Sequence, residues 1–320
     1  MKRVKYKMFL KTGTNGMIAT KRNSFASIKK DAILYVMLLP YLLWLIIFAY
    51  KPMYGLLMAF KDYNPYKGIM GSQWIGLENF KLFMDGPYFL RTVKNTFVLG
   101  VFTLVFSFPA PIILAIMLNE VRMKKFKSFL QTATFLPYFI SVVVICGITV
   151  NMLAPSGVVN SVIKFFGGEE IYFMTKPEWF RPIYIITGIW SGCGYSAIIY
   201  LAALAGIDPC LYEACVIDGG GKFSQIRHVT IPGILPTIVT MLIMQIGGMF
   251  SIGYEKIILL YQPVTYETAD VLSTYMFRVG LSDGKYSLAT AVSLFNAIIS
   301  LIFVVTTNII SKRLTETALW

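Results

Sequence analysis

Six runs of mainly apolar residues dominate this chain, near residues 32–60, 95–118, 129–153, 182–205, 234–261 and 287–311. Each is about 20 residues or longer, enough to cross a bilayer as a helix, and inside a bilayer a segment must satisfy its own backbone hydrogen bonds. Only 14% of the 320 residues are charged, against roughly 25% in a soluble domain. The expected fold class is therefore all-α, a polytopic membrane protein with six transmembrane helices. Pro40, Pro52, Pro109, Pro111 and Pro137 lie in or near these runs and predict kinks in a packed bundle.

Lysine and arginine set the expected orientation. With the N-terminus inside, the inner segments hold 17 of the 29 cations and the outer loops 10, with Lys51 and Lys256 inside runs one and five. Nine of the inner cations fall in residues 1–31, and Arg122, Lys124, Lys125 and Lys127 follow run two. The bias places both termini in the cytoplasm. The division that follows is a basic tail at 1–31, a membrane domain at 32–311 and a C-terminal tail at 312–320. The first apolar run is too long for the core of a cleavable signal peptide. In the outer loops, "WIGLENFKLFM" reads as a short amphipathic helix lying on the membrane surface or against the bundle.

Composition excludes several chemistries. The net charge is +13, but its cations flank apolar runs, a topology signal rather than a nucleic-acid site. There is one histidine, and Cys146, Cys193, Cys210 and Cys215 form no outer pair. Neither a metal site nor a disulfide is expected. No nucleophile and base fall into a motif.

One polar segment interrupts this pattern, "DPCLYEACVIDGGGKFSQIRHVTIP" at residues 208–232. Its "GGGK" is not a phosphate loop, because Phe223 follows Lys222 where Ser or Thr is required and Val216 stands where the first glycine belongs. The segment reads as helix, break, helix. Asp208 is placed as an N-cap and Pro209 at the first helical position. Gly219, Gly220 and Gly221 permit a sharp turn, and a second amphipathic piece is expected to stop at Pro232. Leu211, Val216, Phe223 and Ile226 would then give a protruding knob apolar residues for a partner's groove.

The segment resembles the signature of permease subunits of binding-protein-dependent ABC importers: Glu-Ala-Ala, three residues, Gly, nine residues, Ile, one residue, Leu-Pro. Here Glu213-Ala214-Cys215, Gly219, Val229 and Ile231-Pro232 stand at that spacing, with Cys215, Val229 and Ile231 as small or apolar replacements. From about residue 32, stretches such as "LLPYLLWLIIFAYKPMYGLLMAFKDYNPYKGI", "TATFLPYFISVVVICG" and "ADVLSTYMFRVGL" look like the carbohydrate branch. More narrowly, they look like the lipoprotein-dependent oligosaccharide and polysaccharide permeases, nearer the maltose-F-like subunit of a pair.

The resemblance implies a type I ABC importer permease fold in a bacterial cell membrane and a chain that does no bond chemistry. It implies a second permease subunit, two ABC ATPase subunits, an extracytoplasmic solute-binding lipoprotein and an oligosaccharide or complex-glycan fragment as cargo. The chain itself would bind no cofactor, ATP and Mg belonging to the ATPases. Residues 208–232 would be the coupling helices, with Glu213, Ala214, Asp218, Gly219, Gly220, Phe223, Ile231 and Pro232 facing the ATPase. Glu213 is the residue expected to make a charge-assisted hydrogen bond. Polar and aromatic residues within spans are candidates for the sugar pathway, here Gln245, Tyr254, Glu255, Asn296, Tyr138, Trp190 and Tyr195. A permease for a non-sugar solute and an ion-coupled secondary transporter are the rival readings, the latter weakened by the scarcity of charges deep in the spans.

Overall fold

The structure, a computed structural model, describes residues 32–250 and 252–315. The tail at 1–31 and residues 316–320 lie outside the described residues. Among the described residues, six helical stretches are long and apolar enough to cross a membrane: Ala32–Phe60, Phe89–Glu120, Val142–Phe165, Pro177–Ala205, Lys222–Gly247 and Tyr286–Lys312. The chain divides into two compact units, the first ending at Gly55. Helix α1 (Ala32–Phe60) supplies the described part of that first unit, and Ile33, Met37, Trp44 and Phe48 are all exposed on it. Such a surface costs nothing against lipid tails.

The second unit takes in the last turn of α1 from Leu56, and a two-stranded antiparallel ribbon follows, β1 (Lys61–Asp62) with β2 (Gln73–Trp74), Lys61 opposite Trp74. Helix α2 (Glu78–Met84) follows. It holds the expected amphipathic segment against the bundle, because Phe83 is buried in a cluster with Met249, Phe250, Leu272, Tyr275 and Val292. The longer elements that follow are α3 (Phe89–Glu120), α4 (Lys124–Phe135), α5 (Val142–Leu153), α6 (Val158–Phe165), α7 (Pro177–Ala205) and α8 (Pro209–Ile217). They end with α9 (Lys222–Gly247), α10 (Tyr254–Leu260), α11 (Leu272–Phe277) and α12 (Tyr286–Thr315). A second cluster joins Leu99, Cys146, Phe180, Ile185, Ile257 and Val271. A third, nearer residues 208–232, joins Ala115, Ala197, Tyr200, Leu204 and Ile234.

Proline is absorbed in three helices by one device. A five-residue π turn precedes Pro52 (Ile46–Tyr50), Pro109 (Thr103–Ser107) and Pro232 (Ile226–Thr230). In each the residue before the proline donates its N–H five residues back: Lys51 to Ile46, Phe108 to Thr103 and Ile231 to Ile226. The wide turn moves aside the carbonyl that the proline ring would strike, so the helix continues with a bend. This overturns the expected stop at Pro232. The second piece of the 208–232 segment is the first part of α9 and runs unbroken into the membrane.

Two expected spans are broken. The third, 129–153, changes direction at Ile140 and Ser141, both extended. Leu136–Phe139 forms a tight turn around Pro137, and Ser141 then caps α5. Alone, the 12 residues of α5 span about 18 Å, short of the roughly 30 Å hydrocarbon core. The expected fifth span, 234–261, is two helices, α9 and α10, separated at residues 248–253. The break seats Met249 against Gly100, where a Cβ would overlap the Met249 side chain. Asn296 Nδ2 donates to the freed Phe250 carbonyl at 3.1 Å. Helix α12 continues to Thr315, within the segment 312–320 expected as the C-terminal tail.

Close backbone approach fixes α7 against α4. A Cβ on Gly194 would overlap the Thr134 carbonyl, which is backbone and cannot rotate away. Gly194→Val is expected to cost about 1–3 kcal/mol through forced displacement of the two helices, read as a lower unfolding temperature of the detergent-purified chain. An unchanged transition would show that α4 is free to move.

Candidate functional site: residues 208–232 and the hollows of the bundle

Helix α8 is held at both ends by its own sequence. The Asp208 side chain accepts the Cys210 N–H at 2.9 Å. That N–H, and after it the Cys210 thiol, hold the Asp208 carboxyl below its ordinary range. At the other end Gly219 has φ +81°. Its N–H donates to the Val216 carbonyl at 2.9 Å and the Gly220 N–H to the Cys215 carbonyl at 2.8 Å. This pair of bonds around a left-handed residue is a Schellman cap. Gly220 is constrained separately, since a Cβ there would sit 2.6 Å from Cys215 Sγ.

The capped helix is also tied to its surroundings. Tyr212 Oη lies 3.2 Å from Thr230 Oγ1, linking α8 to the start of α9. Lys222 Nζ lies 2.7 Å from Glu120 Oε2, linking α9 to the end of α3. Lys222 is thus both paired and largely exposed. Between these ties lies an open hollow of about 610 Å³, bordered by Asn119, Glu120, Tyr212, Glu213, Val216 and Lys222. Around it Ile217 is 85% exposed and Phe223 75%, and Ala214, Asp218, Ile231 and Pro232 are also exposed. Glu213 is exposed and makes no ion pair or hydrogen bond among the described residues. The segment is thus a rigid projection with apolar side chains and two unengaged carboxylates, Glu213 and Asp218.

The pathway candidates do not converge on a single point. Gln245 lines a hollow of about 440 Å³ between α3, α7 and α9, with Ser107, Gly188, Gly192, Cys193 and Ser196. Tyr138 and Tyr195 stack face to face, centroids 3.9 Å apart, beside the contact at Gly194. Trp190 borders a separate apolar hollow with Trp179 and Phe173. Tyr254 stacks on Phe277 at 5.0 Å, Glu255 is exposed, and Asn296 closes the backbone break after α9.

A polar network at the end of the bundle opposite residues 208–232 is not foreseen from the sequence. Asp270 is fully buried and accepts from Arg91 Nη2 at 2.8 Å, Arg278 Nη2 at 2.8 Å and Thr274 Oγ1 at 2.9 Å. Asn95 Nδ2 donates to the Asp270 carbonyl at 3.1 Å, and Asn95 Oδ1 accepts from Arg181 at 2.9 Å. The network joins α3, α7 and the 266–285 region. Lys256 Nζ donates to the Tyr184 carbonyl at 2.6 Å and sits 4.1 Å from the Tyr184 ring centre.

The sequence profile of a family described as the binding-protein-dependent transport system inner membrane component matches residues 107–316. The polygalacturonan/rhamnogalacturonan transport system permease protein YteP of Bacillus subtilis (strain 168) is 42% identical over 288 residues, covering 90% of each chain. Protein LplB of the same organism is 40% identical, covering 92% of this chain and 93% of its own. Among solved structures, a chain of the bacterial alginate ABC transporter, in complex with an alginate pentasaccharide-bound periplasmic protein, superposes with a TM-score of 0.86. It is 45% identical and covers 92% of this chain and 99% of its own.

Proposed function

We propose, from the premise that this chain belongs to the binding-protein-dependent transport system inner membrane components, that it is one half of the translocation pathway of an ATP-driven oligosaccharide importer. It is a multi-pass membrane permease with a type I importer fold. The cargo is an oligosaccharide or complex-glycan fragment, in keeping with the glycans named for YteP and the alginate transporter. Both termini lie in the cytoplasm, so residues 208–232 project toward two ATPase subunits and the 266–285 region faces outward. A second permease completes the pathway, and an extracytoplasmic solute-binding lipoprotein delivers the sugar. ATP and Mg are bound and consumed by the ATPases.

The observation that carries this reading is the 208–232 projection. Its capped helix, its apolar side chains and unengaged Glu213 suit a protein partner. Because α9 runs without a break from Lys222 to Gly247, a push on the projection tilts a transmembrane helix that lines the Gln245 hollow. ATP-driven closure below is thereby turned into alternating access above. Uptake of a labelled oligosaccharide into host cells tests the energy source. Loss of uptake on ATP depletion, with uptake preserved under a protonophore and sodium ionophore, supports the importer. The reverse pattern would establish the ion-coupled rival.

Gln245 places an amide in the hollow between α3, α7 and α9. Gln245→Leu is expected to keep the complex assembled and to lower uptake about 3- to 30-fold, the worth of one or two lost hydrogen bonds. Wild-type uptake by that variant would remove Gln245 from the pathway.

A further inference from the structure

The Asp270 network borders an open pocket of about 400 Å³ whose walls include Tyr88, Tyr266 and Tyr275 with Arg91 and Arg278. That volume lies within the roughly 300–1,000 Å³ of small-molecule sites, enough for one or two sugar rings. Its charges do not balance. Two guanidinium groups share the single Asp270 carboxylate, which has no exposed surface, while Arg91 and Arg278 remain 31% and 26% exposed. Arg91 Nε is buried with no hydrogen-bond partner. On the rim Lys285 and Asp283 are both exposed, and neither forms an ion pair among the described residues. Three cations against two acids leave a surplus positive charge in a partly desolvated hollow, where an anion is attracted more strongly than in open water.

The aromatic walls narrow the kind of anion. The Arg91 guanidinium lies 5.0 Å from the Tyr88 ring centre and the Arg278 guanidinium 5.2 Å from that of Tyr266. This stacking holds the two planar forks in place. Planar guanidinium groups suit carboxylates geometrically, and phenol hydroxyls both donate to and accept from sugar hydroxyls. Inorganic anions and fatty acids would use the charge and leave the tyrosines idle.

We propose that this pocket is an outer subsite that selects carboxylated sugars, seating the carboxylate of a uronic-acid residue against Arg91 and Arg278 before the chain of sugars enters the membrane. The proposal rests on the importer reading and on the outward orientation of residues 266–285. It adds a substrate class and a place where that class is recognised. The Asp270 carboxylate prevents the arginines from holding the ligand too tightly, which suits a site of passage. Asp283 at the rim opposes the ligand's charge and weakens the site further.

The test is equilibrium binding to the complete transporter in nanodiscs, by calorimetry, without the solute-binding lipoprotein. The probes are tri-galacturonate and the same trisaccharide with its carboxyls reduced to alcohols. The acidic probe is expected to bind at least about tenfold more tightly, and Lys285→Glu to erase about 3- to 10-fold of that preference, with Asp283→Asn raising it, as expected for rim charges. Both rim residues are exposed, so neither variant threatens folding. Equal binding of the two probes, no binding of either at millimolar concentration, or a preference indifferent to both variants would overturn the subsite. Variants that alter uptake of both probes equally while leaving direct binding unchanged would assign the rim to docking of the solute-binding protein, and would also overturn it. Failure of the importer reading shows separately, as uronate binding to the pocket with no ATP-dependent uptake of any oligosaccharide.

Discussion

If residues 208–232 dock on ATPase subunits as proposed, Glu213→Lys is expected to separate them from the permease while leaving it inserted in the membrane. The Glu213 carboxylate stands exposed on a helix whose two ends are fixed by Asp208 and Gly219, so the charge is presented in one place at little entropic cost. Reversing a charge at a protein interface costs about 2–5 kcal/mol, which is roughly 30- to 5,000-fold in affinity. Oligosaccharide uptake should fall to background, and ATPase should be lost from the purified complex. Lys222→Gln is the control. Its pair with Glu120 is 62% and 33% exposed, and such surface pairs contribute about 1 kcal/mol at most, so assembly should survive. Equal damage from both substitutions would mean that the segment matters through its fold rather than through Glu213.

The second large effect is expected at the other end of the bundle. Asp270→Ala leaves Arg91 and Arg278 facing each other without a counter-charge, and leaves Thr274 Oγ1 without its carboxylate. Removing one partner of a buried ion pair costs about 3–5 kcal/mol. Because both guanidinium groups keep some contact with solvent, the loss is expected at the low end, about 3 kcal/mol. The detergent-purified chain should unfold several degrees lower, and Asp270→Asn, which can still accept from Thr274, should fall between. An unchanged transition in the alanine variant would show that the network does not hold α3 to the 266–285 region.

What the sequence revealed and what it hid divide along physical lines. The Asp208 cap, Pro209 at the helix start and the Gly219 turn are local chemistry, decided within four residues, and each stands where the residues place it. The six apolar stretches are equally plain, because composition alone marks them. Composition does not register a backbone break among apolar residues, so 248–253 reads as one span with its neighbours, although Gly247, Gly248 and Gly253 supply a signal. The continuation through Pro232 depends on a π turn, a choice that no residue type announces. The Asp270 network joins positions 179 residues apart, and nothing local pairs them. Tyr138 and Tyr195 are each visible as aromatic candidates, but their stacking follows from the Gly194 contact between two helices.

Residues 208–232 are proposed to join this permease to an ATPase. The most direct test is purification of the tagged full-length chain from its host in mild detergent, with quantitative mass spectrometry of wild type beside Gly219→Asp. The wild type is expected to carry stoichiometric ATPase, together with a second six-span permease and a solute-binding lipoprotein. In the variant the ATPase should be lost and the second permease retained. A wild-type chain that purifies as a monomer or homodimer across detergents, without ATPase, would contradict that role.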